Sequence, residues 1–231
     1  SDKRGTAYGL MTLVRMMGVS PWQWWADCEP TPREVFQLEV DFERLEVPSV
    51  AYRGIFINDE DWGLNPWSSN NYEPKMRQRN GEDSTPRNGE IGPYTHERIF
   101  ELLLRLRANI FWPAMHECTV PFYLIKGNKE VADKYGILIS TSHCEPMMRN
   151  TNGEWRKAGL GDYNFVTNAK QVVHFWEERV KELSGSDCLY TLGMRGVHDS
   201  AMEGAKTIPE QVKVLTEIGR ASCRERVSSP V

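Results

Sequence analysis

The sequence has no apolar run approaching the ~18 residues that suggest a membrane span, so no membrane partner is expected. Its first residues, Ser1-Asp2-Lys3-Arg4-Gly5, lack the apolar core of a signal peptide, so an export signal would lie upstream of them. Basic charge is not in excess. With 28 Lys and Arg against 32 Asp and Glu, and a net charge of −4, nucleic acid is not an expected partner, because phosphate backbones are held by clustered cations. The five cysteines, Cys28, Cys118, Cys144, Cys188 and Cys223, form no CxxC pair, which leaves a zinc ribbon and a dithiol motif without support. There is no HExxH, no HxH, and no GxGxxG behind the first strand. What is present is a foldable chain of 231 residues, 40% hydrophobic and 26% charged, enough for one large domain or two small ones. Its eight tryptophans and eight tyrosines include Trp22, Trp24 and Trp25 in one run, and Trp62 and Trp67 in a polar stretch. Core packing and sugar stacking are both open to them.

The order of elements can be read from periodicity. Ala7, Leu10, Met11, Val14 and Met17 mark a helix over 5–17, stopped by Gly18. Residues 29–49, rich in acids and prolines, suggest a linker with one strand. A strand over 52–57 is followed by a long polar loop from Asp61 to Pro93. Next come a helix over 95–108, a strand over 109–112, a helix over 128–135 closed by Gly136, and a strand over 137–141. A helix over 168–183, a strand over 189–192 and a helix opening at Ile208 complete the order. Thr207 and Glu210 give that last helix a capping box, and its apolar stripe fades after Ile218. The run from Gly219 to Val227 resembles a translated sequencing adapter, so residues 219–231 are expected to be a non-native tail.

Strand and helix thus alternate four times, the order of a parallel α/β sheet. Each strand ends in ionisable residues: Asn58-Asp59-Glu60-Asp61, His116-Glu117, His143-Cys144-Glu145, and Arg195 with His198-Asp199. In a barrel these ends share one face, where active sites are built. The expected fold class is therefore α/β, the first half of a (β/α)₈ TIM-type barrel over 48–218, with 1–47 closing an N-terminal α/β domain. Converging carboxyls suit general acid/base work such as glycoside hydrolysis. Arg195 suits an anionic substrate group, or pairs structurally with Asp199 or Glu203. His116 and His143 can serve as metal ligands with Glu117 and Asp199, or can hold substrate hydroxyls. Neither Ser142-His143 nor His143-Cys144 is a nucleophilic pair, because neighbours along a strand point to opposite faces.

Six runs carry a resemblance: SDKRGTAYG (1–9), GVSPWQWWAD (18–27), YRGIFINDED (52–61), ELLLRLRANIFWPAMHE (101–117), KYGILISTSHCEPMMRN (134–150) and YTLGMRGVHD (190–199). Together they resemble glycoside hydrolase family 115, the xylan α-1,2-glucuronidases. The resemblance implies removal of glucuronic acid, or its 4-O-methyl ether, from glucuronoxylan with inversion. It implies an extracellular or periplasmic enzyme with no cofactor, and a full-length form that can be a homodimer. Inversion needs two carboxyls roughly 6.5–9.5 Å apart. By the resemblance, Asp59 and Asp199 match the pocket acids, and His143 and Arg195 the uronate-binding residues. Glu60 and Glu117 join them as candidate catalytic residues. Glu145, His116, Asn58 and Trp62 join as candidate substrate-binding residues, and no metal ligand is assigned. One acid-bearing segment of the family falls beyond Ile218, and four of eight strands would be missing, leaving a bare parallel edge and a split core, so the chain as printed is expected to be inactive and poorly soluble. The stretch 73–90 is longer than the family's usual loop, and is expected either to be disordered or to reach the xylan chain. Two other readings stay open: an inactive barrel gripping uronic-acid polymers through Trp62, Trp67 and Arg195, and a metal-dependent barrel hydrolase or isomerase.

Overall fold

The computed structural model describes residues 3–37, 41, 43 and 45–227, the last five of them by backbone alone. Helix α1 (Lys3–Met16) ends at Gly18, whose φ of +95° turns the chain out of the helix. It is tied to the following units by polar anchors. Arg4 donates to the Gly136 carbonyl at 2.7 Å and pairs with Asp187, and the Tyr8 hydroxyl donates to the Ala108 carbonyl at 3.0 Å. Leu10, Leu13 and Met17 remain exposed. The strand expected within 29–49 is not found among the described residues there, and part of that stretch lies outside them.

Three short strands, β1 (Gly54–Phe56), β2 (Ile110–Trp112) and β3 (Leu138–Ile139), pair in parallel in the order β1-β2-β3. Gly54 sits opposite Ile110, and Ile110 opposite Leu138. A Cβ at Gly54 would fall 1.7 Å from the Ile110 carbonyl oxygen, so only glycine lets the two backbones close into register. The expected fourth strand over 189–192 is reduced to one parallel bridge between Cys188 and Ile139. Beyond it the chain is held by the Thr191 carbonyl, which accepts from Met147 N at 2.9 Å.

Helices α4 (Pro93–Arg105) and α5 (Asn128–Tyr135) return the chain between strands, and α7 (Phe165–Glu182) and α8 (Ile208–Val227) follow β3. Helix α5 matches its sequence-read bounds, and Gly136 closes it at φ +63°. Helix α7 begins three residues earlier than its stripe suggests. Asn164 caps it by accepting from Val166 N and Thr167 N, and the expected start, Asn168, falls on a break in the helix. Helix α8 opens on the expected capping box, Glu210 accepting from Thr207 N at 2.8 Å, and continues past Ile218 to Val227.

The stretch read as a polar loop is largely helical: α2 (Leu64–Trp67), a π-helical turn (Ser68–Tyr72) and α3 (Glu73–Arg79). Its Asn65, Ser68, Ser69, Glu73 and Arg77 face inward. Glu73 is fully buried and accepts from Thr95 N at 2.6 Å and Thr95 Oγ1 at 2.7 Å, while Arg77 donates to the Thr85 carbonyl. A helix that buries bonded polar groups shows no apolar stripe, which is why periodicity misses it. The first core gathers Phe100, Leu103, Phe111, Ile137 and Ile139 between α4, α5 and the strands. The second gathers Val172, Phe175, Trp176 and Ile218 between α7 and α8, with Trp155 from α6 (Gly153–Ala158). Among the described residues no helix is long and apolar enough to cross a membrane.

Candidate active site

Parallel pairing places the ends of β1, β2 and β3 on one edge, and the four acid-bearing segments leave the sheet there. Beneath the surface lies a layer of polar groups whose hydrogen bonds join these segments. Glu60 Oε1 accepts from Met115 N and His116 N, each at 2.8 Å, which stitches the end of β1 to that of β2. Asn150 Nδ2 donates to the Met115 carbonyl and to Glu145 Oε1, each at 3.2 Å, joining the β2 and β3 segments. Thr151 Oγ1 donates to the Cys144 carbonyl at 3.1 Å and accepts from His198 N at 2.8 Å, bringing in the fourth segment. Below these, Glu154 is buried between the guanidinium groups of Arg149 and Arg179, with Arg179 Nη2 at 2.6 Å. Burial pushes the Glu145 carboxyl up to about 8, a loss of water that the Asn150 amide and the charge of Arg179 offset only in part.

Above this layer are two clusters of titratable side chains. At the β1/β2 ends, His116 Nδ1 lies 3.1 Å from both Asp61 carboxylate oxygens, and the Cys118 thiol donates to Asp61 Oδ1 at 2.8 Å. The thiol bond, with the imidazole beside it, holds the Asp61 carboxyl below its ordinary range. At the β3 end, His143 Nε2 meets Asp199 Oδ1 at 2.9 Å, and Arg195 donates to the same oxygen. Both contacts hold Asp199 below the usual carboxylate range, His143 more than Arg195. Asp199 is 68% exposed and His143 58%, so the pair is open to a ligand. The rings of His116 and His198 approach to 6.2 Å between centroids, bridging the two clusters.

The candidates of the sequence therefore divide. His143, Arg195 and Asp199 come together at the surface, and His116 sits beside Asp61. Glu60 and Glu145 are buried among backbone and amide donors. Glu117 is exposed and paired with Arg156 at 2.8 Å. Asn58, Asp59 and Trp62 are exposed at the end of β1, Trp62 by 84%. Of the aromatics, Trp67 stacks on Tyr72 at 4.8 Å, with Trp24 and Trp25 against them. Asn150, Thr151 and Glu154 carry much of the site's construction but were not candidates from sequence, whereas Asp61 was visible as one of the converging strand-end acids.

The model of glycosyl hydrolase family 115 matches residues 46–223. Among solved structures, a family 115 4-O-methyl-α-glucuronidase with specificity for decorated arabinogalactans superposes with a TM-score of 0.88. It is 57% identical over 98% of this chain. This chain belongs to glycosyl hydrolase family 115. No curated protein matches it. The family 115 chain spans 28% of the length of the solved structure it resembles. Its parallel βα units are consistent with the α/β fold class expected from sequence.

Proposed function

We propose that this chain carries part of the site of an inverting α-glucuronidase that removes glucuronic acid, or its 4-O-methyl ether, from a decorated polysaccharide. The observation that supports this most is the Asp199 carboxylate, exposed and kept ionised between His143 and Arg195 at the edge where the strands end. Asp199 accepts the proton of an attacking water, and His143 fixes its orientation. The face of Arg195 not committed to Asp199 attracts the uronate carboxylate. Asp59 lies across the same edge, free in solvent to reach a sugar hydroxyl or the water. Glucuronoxylan and decorated arabinogalactan both fit, the first from the motif resemblance and the second from the specificity of the structural neighbour. A polymer of that size places the enzyme outside the cytoplasm, in the extracellular space or the periplasm.

Binding is the first test. An oligosaccharide bearing 4-O-methyl-glucuronate should bind at least tenfold more tightly than its undecorated counterpart, and Arg195→Gln should abolish the difference. Equal affinity for the two sugars in the unaltered protein would remove the uronate assignment. In a hydrolysis assay of the full-length enzyme on glucuronoxylan and arabinogalactan, Asp199→Asn should lower release of the uronic acid by at least a hundredfold with the melting temperature unchanged.

A further inference from the structure

We propose that Glu60, Asp61 and His116 form a binding site for a single divalent ion of the zinc class, clamping the end of β1 to the end of β2. The ligand atoms already lie at coordination spacing. His116 Nδ1 is 3.1 Å from Asp61 Oδ2 and 3.9 Å from Glu60 Oε2, and one donor atom from each residue falls within 4.8 Å of the others. Two ligands each about 2.1 Å from a tetrahedral ion stand roughly 3.4 Å apart, between those two distances.

The second observation is independent of the spacing. The Glu60 side chain is completely buried, and while Oε1 takes two backbone N–H groups, Oε2 has no hydrogen-bond partner and faces the imidazole. A buried, unpartnered carboxylate oxygen beside a second carboxylate is costly, and a cation at that point removes the cost. No Lys or Arg pairs with Glu60 or Asp61 among the described residues, and His116 is the one basic side chain set against them there. The other triad with metal-like spacing, His143, Cys144 and Asp199, differs in this respect, because Arg195 already occupies the Asp199 carboxylate. One imidazole and two carboxylates suit zinc better than calcium, which requires six or more oxygen donors. Asp61 is 42% exposed, which gives the ion a route in and leaves its fourth position on the strand-end surface.

This site does not depend on the glucuronidase reading, and its test uses the metal alone. Titration of zinc chloride into the chelator-treated protein should give one saturable event, with affinity at least a hundredfold above calcium chloride. His116→Gln and Asp61→Asn, each checked by its metal-free melt, should each weaken zinc by at least tenfold, while His143→Gln leaves it unchanged. Zinc should also raise the melting temperature of the unaltered protein but not of those two variants. The proposal is overturned if no saturable zinc event occurs, if both variants bind as the unaltered protein does, or if the loss follows His143→Gln instead.

Discussion

Neighbouring carboxylates at the strand ends have opposite fates. Glu60 and Glu145 are turned inward, Glu60 held by backbone amides of the segment after β2 and Glu145 by the Asn150 side chain of its own segment, whereas Asp199 stands in solvent between an imidazole and a guanidinium. Glu60 connects the ends of β1 and β2, Glu145 braces the Asn150 amide that reaches the β2 segment, and the outward acid is open to a ligand. Residue type does not separate them, because all are carboxylates within a few positions of a strand. Their difference is one of solvation: the buried ones answer to hydrogen-bond geometry, and the exposed one to the charges set around it.

The acid of the lower layer, shared by two buried guanidinium groups, should break this contrast most strongly. Removing Glu154 in Glu154→Ala leaves the Arg149 and Arg179 guanidinium groups buried without their shared partner, and should cost about 3–5 kcal/mol in chemical denaturation. A loss below 1 kcal/mol would mean that the lower layer does not carry the fold. Glu145 sharpens the comparison through pH. Burial keeps it protonated to about 8 in the fold, while an unfolded glutamate ionises near 4.5. The folded protein therefore holds the extra proton across that window, and this contribution to stability is lost as the pH rises through it, by up to ~1.4 kcal/mol per pH unit. Glu145→Gln keeps an acceptor for Asn150 and should flatten the stability–pH curve between those values. An unchanged curve would show that water reaches the carboxyl. Smallest is Glu117→Ala, which removes an exposed pair with Arg156 and should move the melting temperature by no more than about 1 °C.

Much of the fold was legible from local pattern. The bounds of α5, the capping box of α8 and the order of βα units all rest on residues close together in sequence. The 64–79 helices were not legible, because their inward residues are Ser68, Glu73 and Arg77 rather than an apolar stripe. The fourth strand was over-read. Leu189 to Leu192 has strand-like composition, but only Cys188 completes a bridge to β3. The site was partly legible: the four ionisable strand ends are visible in the sequence, while the roles of Asn150, Thr151 and Glu154 are not, since a buried amide or hydroxyl resembles any surface residue until its partners are known.

The sequence by itself therefore determined the bounds of α5, the start of α8 and which acids follow each strand, because caps, glycines and periodicity act over a few residues. Tertiary structure alone decided which of those acids faces water. Asp59, Glu60 and Asp61 are consecutive, yet one is exposed without a partner, one is buried against the β2 backbone, and one faces His116 and Cys118. Which environment each meets depends on segments some 55 residues away, and a carboxylate's burial, charge and bonding partners follow from that packing.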